Sequence, residues 1–154
     1  MKNILTHAGV MAVVFAIFGI VLGLLAYISG SWAQSQLITD AGGATDFGPI
    51  FIAIAYLQTA VIIFFLGPVL AALIGGLLGS LSSDRKLALI SGGAGSLIGF
   101  YIMCVVALGL LMLSKGAEAE QAFSFTQALF PMFMAGIPTA IMGSLISALS
   151  SAMN

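Results

Sequence analysis

The sequence predicts an all-α fold, a bundle of four helices that cross a lipid bilayer. Of the 154 residues, 61% are hydrophobic and only 6% are charged, whereas soluble domains average about 25% charged residues. The charged side chains stand at the start of the chain or in three short windows between long apolar runs. A transmembrane helix needs about 20 mostly apolar residues to cross about 30 Å of hydrocarbon. Four runs reach that length, so the runs mark the membrane spans and the charges mark the loops.

The first run covers residues 8–28. Lys2 before it and the small residues Ser31 and Ala33 after it follow the pattern of a cleaved signal peptide, but the run is longer than a signal core of about 7 to 15 residues. We therefore expect a retained first helix. Tyr27 and Trp32 at its far end suit the aromatic belt of a membrane interface, which predicts a loop over residues 29–48.

The second run covers residues 47–81. As one straight helix it would be about 50 Å long, well beyond the hydrocarbon thickness. Pro68 has no N–H and its ring clashes with the carbonyl of Phe64, which predicts a kink beside it. Residues 47–56 then lie in the interface or pack against a partner.

The third run covers residues 87–113 and the fourth covers residues 125–149, with a loop over residues 114–124 between them. Pro131 and Pro138 predict kinks in the fourth helix, as Pro68 does in the second. Cys104, the one cysteine, lies in the third run and has no partner for an internal disulfide. We expect it to be a small packing residue.

The basic residues predict the orientation. Lys2, Arg85 and Lys86 lie on one side of the four spans and Lys115 alone lies on the other. Short cytoplasmic loops carry the excess of Lys and Arg. The chain is therefore expected to be a single multi-pass integral membrane domain, residues 1–154, with both termini cytoplasmic and loops 29–48 and 114–124 outside.

The sequence also predicts an internal repeat of two tandem helical hairpins, residues 8–83 and 87–151. The first run matches the third at an offset of 86, which aligns Gly9 with Gly95 and Gly23 with Gly109; the second matches the fourth at an offset of 68. Both hairpins start inside, so the repeat is parallel, unlike the inverted repeats of many transporters. Chance agreement in a composition rich in Gly, Ala, Leu and Ser is the alternative.

Duplicated, glycine-rich hairpins of this length resemble the proteolipid rotor subunits of rotary ATPases. That resemblance implies a carboxylate in the middle of the membrane that binds the coupling ion. No Asp or Glu occurs within any of the four runs. The ion-binding chemistry of that family is therefore not expected here.

Small residues recur at four-residue spacing within the runs. Lipid tails are as apolar as Leu, so membrane helices associate through close packing, which small side chains permit. These positions are predicted to pack helices together, either within the bundle or between copies of the chain, and the spacing does not separate the two. The predicted packing residues are Gly19, Gly23, Gly75, Gly79, Gly95, Gly99 and Gly143.

Four polar residues lie in the spans near the predicted outer face: Gln58 and Thr59 in the second helix, and Thr126 and Gln127 in the fourth. They predict either a polar vestibule or simple hydrogen bonds between helices, and we favour the hydrogen bonds. With one Cys, no His and no carboxylate in the runs, we expect no catalytic, cofactor or metal site.

Charge narrows the classes of function. A net charge of -1 gives no basic patch for nucleic-acid phosphates. Pumps and ion-coupled transporters rely on ionisable groups inside the membrane, and the spans have none. The favoured hypothesis is a structural or accessory membrane subunit that packs through its glycine faces with copies of itself, in a larger membrane complex or in an enveloped particle. The alternative is a small channel or facilitator for neutral solutes, since pores can select through hydrogen-bonding groups without charge.

Overall fold

The computed structural model describes residues 2–37, 48–113 and 125–153, and every regular element in these ranges is a helix. The four helices are α1 (Lys2–Leu37), α2 (Gly48–Ser80), α3 (Arg85–Leu113) and α4 (Phe125–Ala152). This arrangement confirms the predicted all-α fold of four helices. Of the two predicted loops, residues 38–47 and 114–124 lie outside the described residues.

Each helix contains a segment long and apolar enough to cross a membrane. These segments are Ile4–Trp32, Tyr56–Ser80, Arg85–Leu113 and Thr126–Ala152. The predicted multi-pass integral membrane protein is therefore supported by four separate spans. Helix α1 continues to Leu37, past the predicted end at residue 28, because a helix satisfies its backbone hydrogen bonds internally and need not end at the membrane surface.

The helices pack unevenly. Helices α2 and α3 each contact all three other helices, whereas α1 and α4 do not contact each other within the described residues. Helix α1 packs mainly along α3, and α4 packs against both α2 and α3. The central position of α3 explains why it is the most buried of the four spans.

The predicted repeat makes α1 equivalent to α3 and α2 equivalent to α4, and the helices of each pair lie side by side and run parallel. Gly19 and Gly23 of α1 lie against Met103 and Ala107 of α3, so both helices advance in the same direction. Gly75 and Gly79 of α2 face α4 residues Gly143 and Ser147 in the same way. The duplication itself, and the hairpin boundaries, stay predictions.

Large side chains fill the centre of the bundle. Phe15, Tyr56, Ile63, Phe100 and Met103 are almost fully buried and belong to one continuous apolar cluster. In a bilayer this cluster stabilises the fold through van der Waals packing, because lipid tails are already apolar. Its role is to fix the relative positions of the helices.

A short turn joins α2 to α3. The Asp84 carboxylate Oδ1 accepts hydrogen bonds from the backbone N–H groups of Lys86 at 2.9 Å and Leu87 at 3.3 Å, which caps the first turn of α3. Ser151 Oγ near the end of α4 donates to the carbonyl of Ser82 at 2.7 Å. The turn therefore fixes the ends of three helices at one face of the bundle.

Candidate functional site

The interface between α1 and α3 is built on glycine. Gly19, Gly23, Gly95 and Gly99 are all buried. A Cβ added to Gly19 would stand 2.9 Å from the Cα and carbonyl oxygen of Met103, and one added to Gly99 would stand 2.8 Å from the Phe15 ring. These distances are too short for a real side chain. The missing side chains therefore allow the two helices to approach each other closely.

A second glycine-based contact joins α2, α3 and α4. We call it the small-residue seam and define it as Gly75, Gly79, Gly92, Ser96, Gly143 and Ser147. A Cβ on Gly75 would stand 3.1 Å from the Gly143 carbonyl oxygen, and one on Gly79 would overlap the Ser147 backbone. Gly143 also faces Gly92 and Ser96 of α3. Three helices therefore meet where their backbones are least covered by side chains.

Hydroxyl groups reinforce the seam. Ser147 Oγ donates to the carbonyl of Gly75 at 2.8 Å, and Ser150 Oγ donates to the carbonyl of Gly76 at 2.8 Å. Ser96 Oγ lies 3.3 Å from the carbonyl of Thr139 on α4. Within the described residues, every buried side-chain nitrogen and oxygen has a hydrogen-bond partner. The hydroxyls of Ser147 and Ser150 therefore connect helices, whereas the buried hydroxyls of Ser91 and Thr139 donate to carbonyls of their own helix.

All seven glycines that the sequence predicts as packing positions lie at contacts within a single chain. Gly92, Ser96 and Ser147 are packing residues that were not predicted from the sequence, although Gly92 and Ser96, like Gly143 and Ser147, are four residues apart. The same small-residue spacing could have identified them.

The four predicted polar positions are distributed differently. Gln58, Thr126 and Gln127 are exposed, and Thr59 is half-buried. The two glutamines therefore lie on the surfaces of α2 and α4, near the start of each span, and do not point into the packed core. Their role in a vestibule stays a prediction.

The three predicted kink residues lie inside continuous helices, Pro68 in α2 and Pro131 and Pro138 in α4. Two of them contribute to an apolar crevice of about 460 Å³ between α2 and α4. It is lined by Val61, Phe64, Phe65, Pro68, Val69, Ala135 and Pro138. The kinks themselves stay predictions.

A polar recess of about 290 Å³ lies at the turn between α2 and α3. It is lined by Ser80, Leu81, Ser82, Ser83 and Ser151. Ser80, Ser82 and Ser151 donate their hydroxyl hydrogens to backbone carbonyls. Three of its four hydroxyls are therefore bonded to backbone carbonyls, and those of Ser82 and Ser151 fix the turn.

Reactive groups are sparse in the part of the chain that the structure describes. It contains no group of three or more His, Cys, Asp or Glu side chains that could hold a metal ion. Cys104 is fully buried in the apolar cluster, where its thiol contributes to packing.

The chain was also compared with known proteins. Comparisons with protein-family models, with curated proteins and with solved structures found no match. A functional proposal therefore rests on the chain's own geometry and chemistry.

Proposed function

We propose that this protein is a structural or accessory subunit of a membrane assembly, with other membrane proteins or further copies of itself as partners. The observation that carries the proposal is a set of hydroxyls at the contacts of α4 with α2 and α3. Those of Ser96, Ser147 and Ser150 lie within hydrogen-bond distance of backbone carbonyls on a neighbouring helix. A conduit for polar solutes needs such groups to face a pathway, whereas here they hold helices together.

The glycine faces do not contact a partner in this proposal. Because these faces are covered within one chain, they build a preassembled bundle and do not supply the contact with a partner. A partner would instead contact side chains that face outward. Helix α1 offers such a surface, since it is packed mainly on its α3 side and Val13, Ile17 and Ile28 are more than half exposed.

Native mass spectrometry tests the proposal. The protein would be extracted from its own membrane both in mild detergent and in polymer-bounded membrane discs, with all co-purifying chains identified. We expect a species heavier than the 15.8 kDa chain, containing copies of itself or foreign subunits. A 15.8 kDa species alone in both preparations would contradict the proposal.

Variants in the bundle provide a matched control for that experiment. Gly79→Leu disrupts a contact inside the chain, whereas Ile17→Ala alters only the outward surface of α1. If partners contact outward surfaces, Ile17→Ala reduces the recovered complex while the thermal stability of the isolated chain stays near that of wild type. Gly79→Leu reduces both the recovered complex and the thermal stability of the isolated chain.

A further inference from the structure

The apolar crevice between α2 and α4 has the position, the chemistry and the size of a lipid-tail site. We propose that it binds the hydrocarbon chains of a membrane lipid. This inference needs no protein partner and therefore stands apart from the proposed function.

The crevice lies at the depth of the hydrocarbon. Its α2 wall runs from Val61 to Val69, within the span Tyr56–Ser80. At 1.5 Å per residue, Val61 is about 7.5 Å and Val69 about 19.5 Å from Tyr56 along the helix. Since the hydrocarbon core is about 30 Å thick, the open side of the crevice faces lipid tails.

The lining residues explain the shape of the crevice. Toward the ends of both helices the small-residue seam holds α2 and α4 together, with Gly75 opposite Gly143. Toward their starts, Phe64 and Phe65 of α2 line the crevice. Phe65 is 78% exposed and forms an outer wall, whereas Ala135 is small enough to leave the space open.

The size of the crevice suits lipid tails. Its height along α2, from Val61 to Val69, is about 12 Å, and its volume is about 460 Å³. A hydrocarbon chain about 4–5 Å wide at van der Waals contact occupies roughly 200 Å³ over the same height. One or two chains therefore fit.

Photolabelling tests the site directly. The full-length protein would be placed in phosphatidylcholine vesicles that contain a trace of phosphatidylcholine with a diazirine in the middle of one acyl chain. After irradiation, peptide mass spectrometry locates the adducts. We expect them to concentrate on residues 61–69 and 135–138. The comparison surface is Leu73 and Leu77, which are 61% and 69% exposed but lie outside the crevice.

Filling variants complete the test. Ala135→Phe places a ring in the crevice, and its matched control is Ala94→Phe, the same change at an exposed position of α3. We expect labelling of residues 61–69 to fall several-fold in Ala135→Phe and to stay unchanged in Ala94→Phe. Val69→Phe fills the crevice from the α2 side and serves as the second filling variant, should Ala135→Phe fail to fold.

Three outcomes would overturn the inference. The first is labelling that simply follows exposure along all four spans. The second is crevice labelling that neither filling variant reduces. The third is crevice residues that remain unlabelled while they crosslink to a second copy or another protein, which would place a protein surface there. If native mass spectrometry gives only the monomer while the crevice is labelled, the proposed function is contradicted and the lipid site is not.

Discussion

The most direct test of the bundle is to add one methyl group to Gly79. A Cβ at this position would overlap the carbonyl oxygen of Ser147 and stand 2.8 Å from its Cα. Both are backbone atoms, so neither can move aside without shifting a helix. Overpacking of this kind costs about 1–3 kcal/mol. The Gly79→Ala change also has an opposing effect, because Ala favours a helix over Gly by about 0.8–1 kcal/mol.

Gly109 supplies the matched control, since a Cβ there meets nothing within 4 Å. Gly109→Ala gains the same helix propensity without a clash. The difference in unfolding free energy between the two variants therefore isolates the steric term. We expect Gly79→Ala to be less stable than Gly109→Ala by about 1–3 kcal/mol.

The assay is reversible unfolding in mixed micelles with an increasing fraction of denaturing detergent, followed by circular dichroism. Both variants and the wild type are measured in the same micelles, so the lipid-like solvent is constant. Equal stability of Gly79→Ala and Gly109→Ala would refute the close approach of α2 and α4. It would also remove the physical basis of the small-residue seam.

Three further predictions use the same or simpler assays. Ser147→Ala removes a hydrogen bond across the α2–α4 interface and is expected to lower the unfolding free energy by about 0.6 kcal/mol. The control is Ser31→Ala, because the Ser31 hydroxyl donates to a carbonyl within α1. Equal losses of stability in both variants would count against the interface. Asp84→Ala removes the cap of α3 and is expected to lower the unfolding free energy by about 0.5–2 kcal/mol, whereas Asp84→Asn can still cap the helix and is expected to retain most of that stability. An equal loss of stability in both variants would show that the charge of Asp84 matters and not its capping hydrogen bonds. Liposomes containing the protein should pass glycerol and urea no faster than empty ones, by stopped-flow light scattering, whereas flux that disappears when Gln58 and Gln127 are both changed to Ala would establish the conduit alternative.

The pairing of α1 with α3 illustrates what the sequence could not supply. The apolar residues surround each helix on all sides, and lipid tails are as apolar as the packed core. Hydropathy therefore marks where a span lies but gives no direction for its buried face. The glycine spacing of Gly19 and Gly23 identifies a face for close packing, but not which helix, or which copy of the chain, it meets.

The burial of the polar residues in the spans also could not be predicted from the sequence. Gln58 and Ser147 are both polar residues within apolar runs, and their type alone does not separate them. In the folded chain Gln58 is exposed on α2, whereas Ser147 is buried and bonded to Gly75. A polar group in a span needs a partner, but only the packing of the neighbouring helix decides whether one is within reach.

The crevice depends on two helices at once. Pro68, Phe65 and Ala135 are ordinary residues in their own segments, and no pattern in either run predicts that they share a cavity. The cavity lies between α2 and α4, beside the part of the interface where Gly75 meets Gly143, and residues of both helices line it. Such a site is a property of the interface and not of a motif.

The sequence by itself determined the number of spans, their approximate positions and the all-α class, because the thickness of hydrocarbon and the cost of bare backbone groups leave few alternatives for such a composition. The tertiary structure alone decided which helices are neighbours, that the glycine faces are covered within one chain, and that an apolar crevice opens between α2 and α4. These outcomes depend on side-chain shapes meeting across helices, which a pattern read along one helix does not contain.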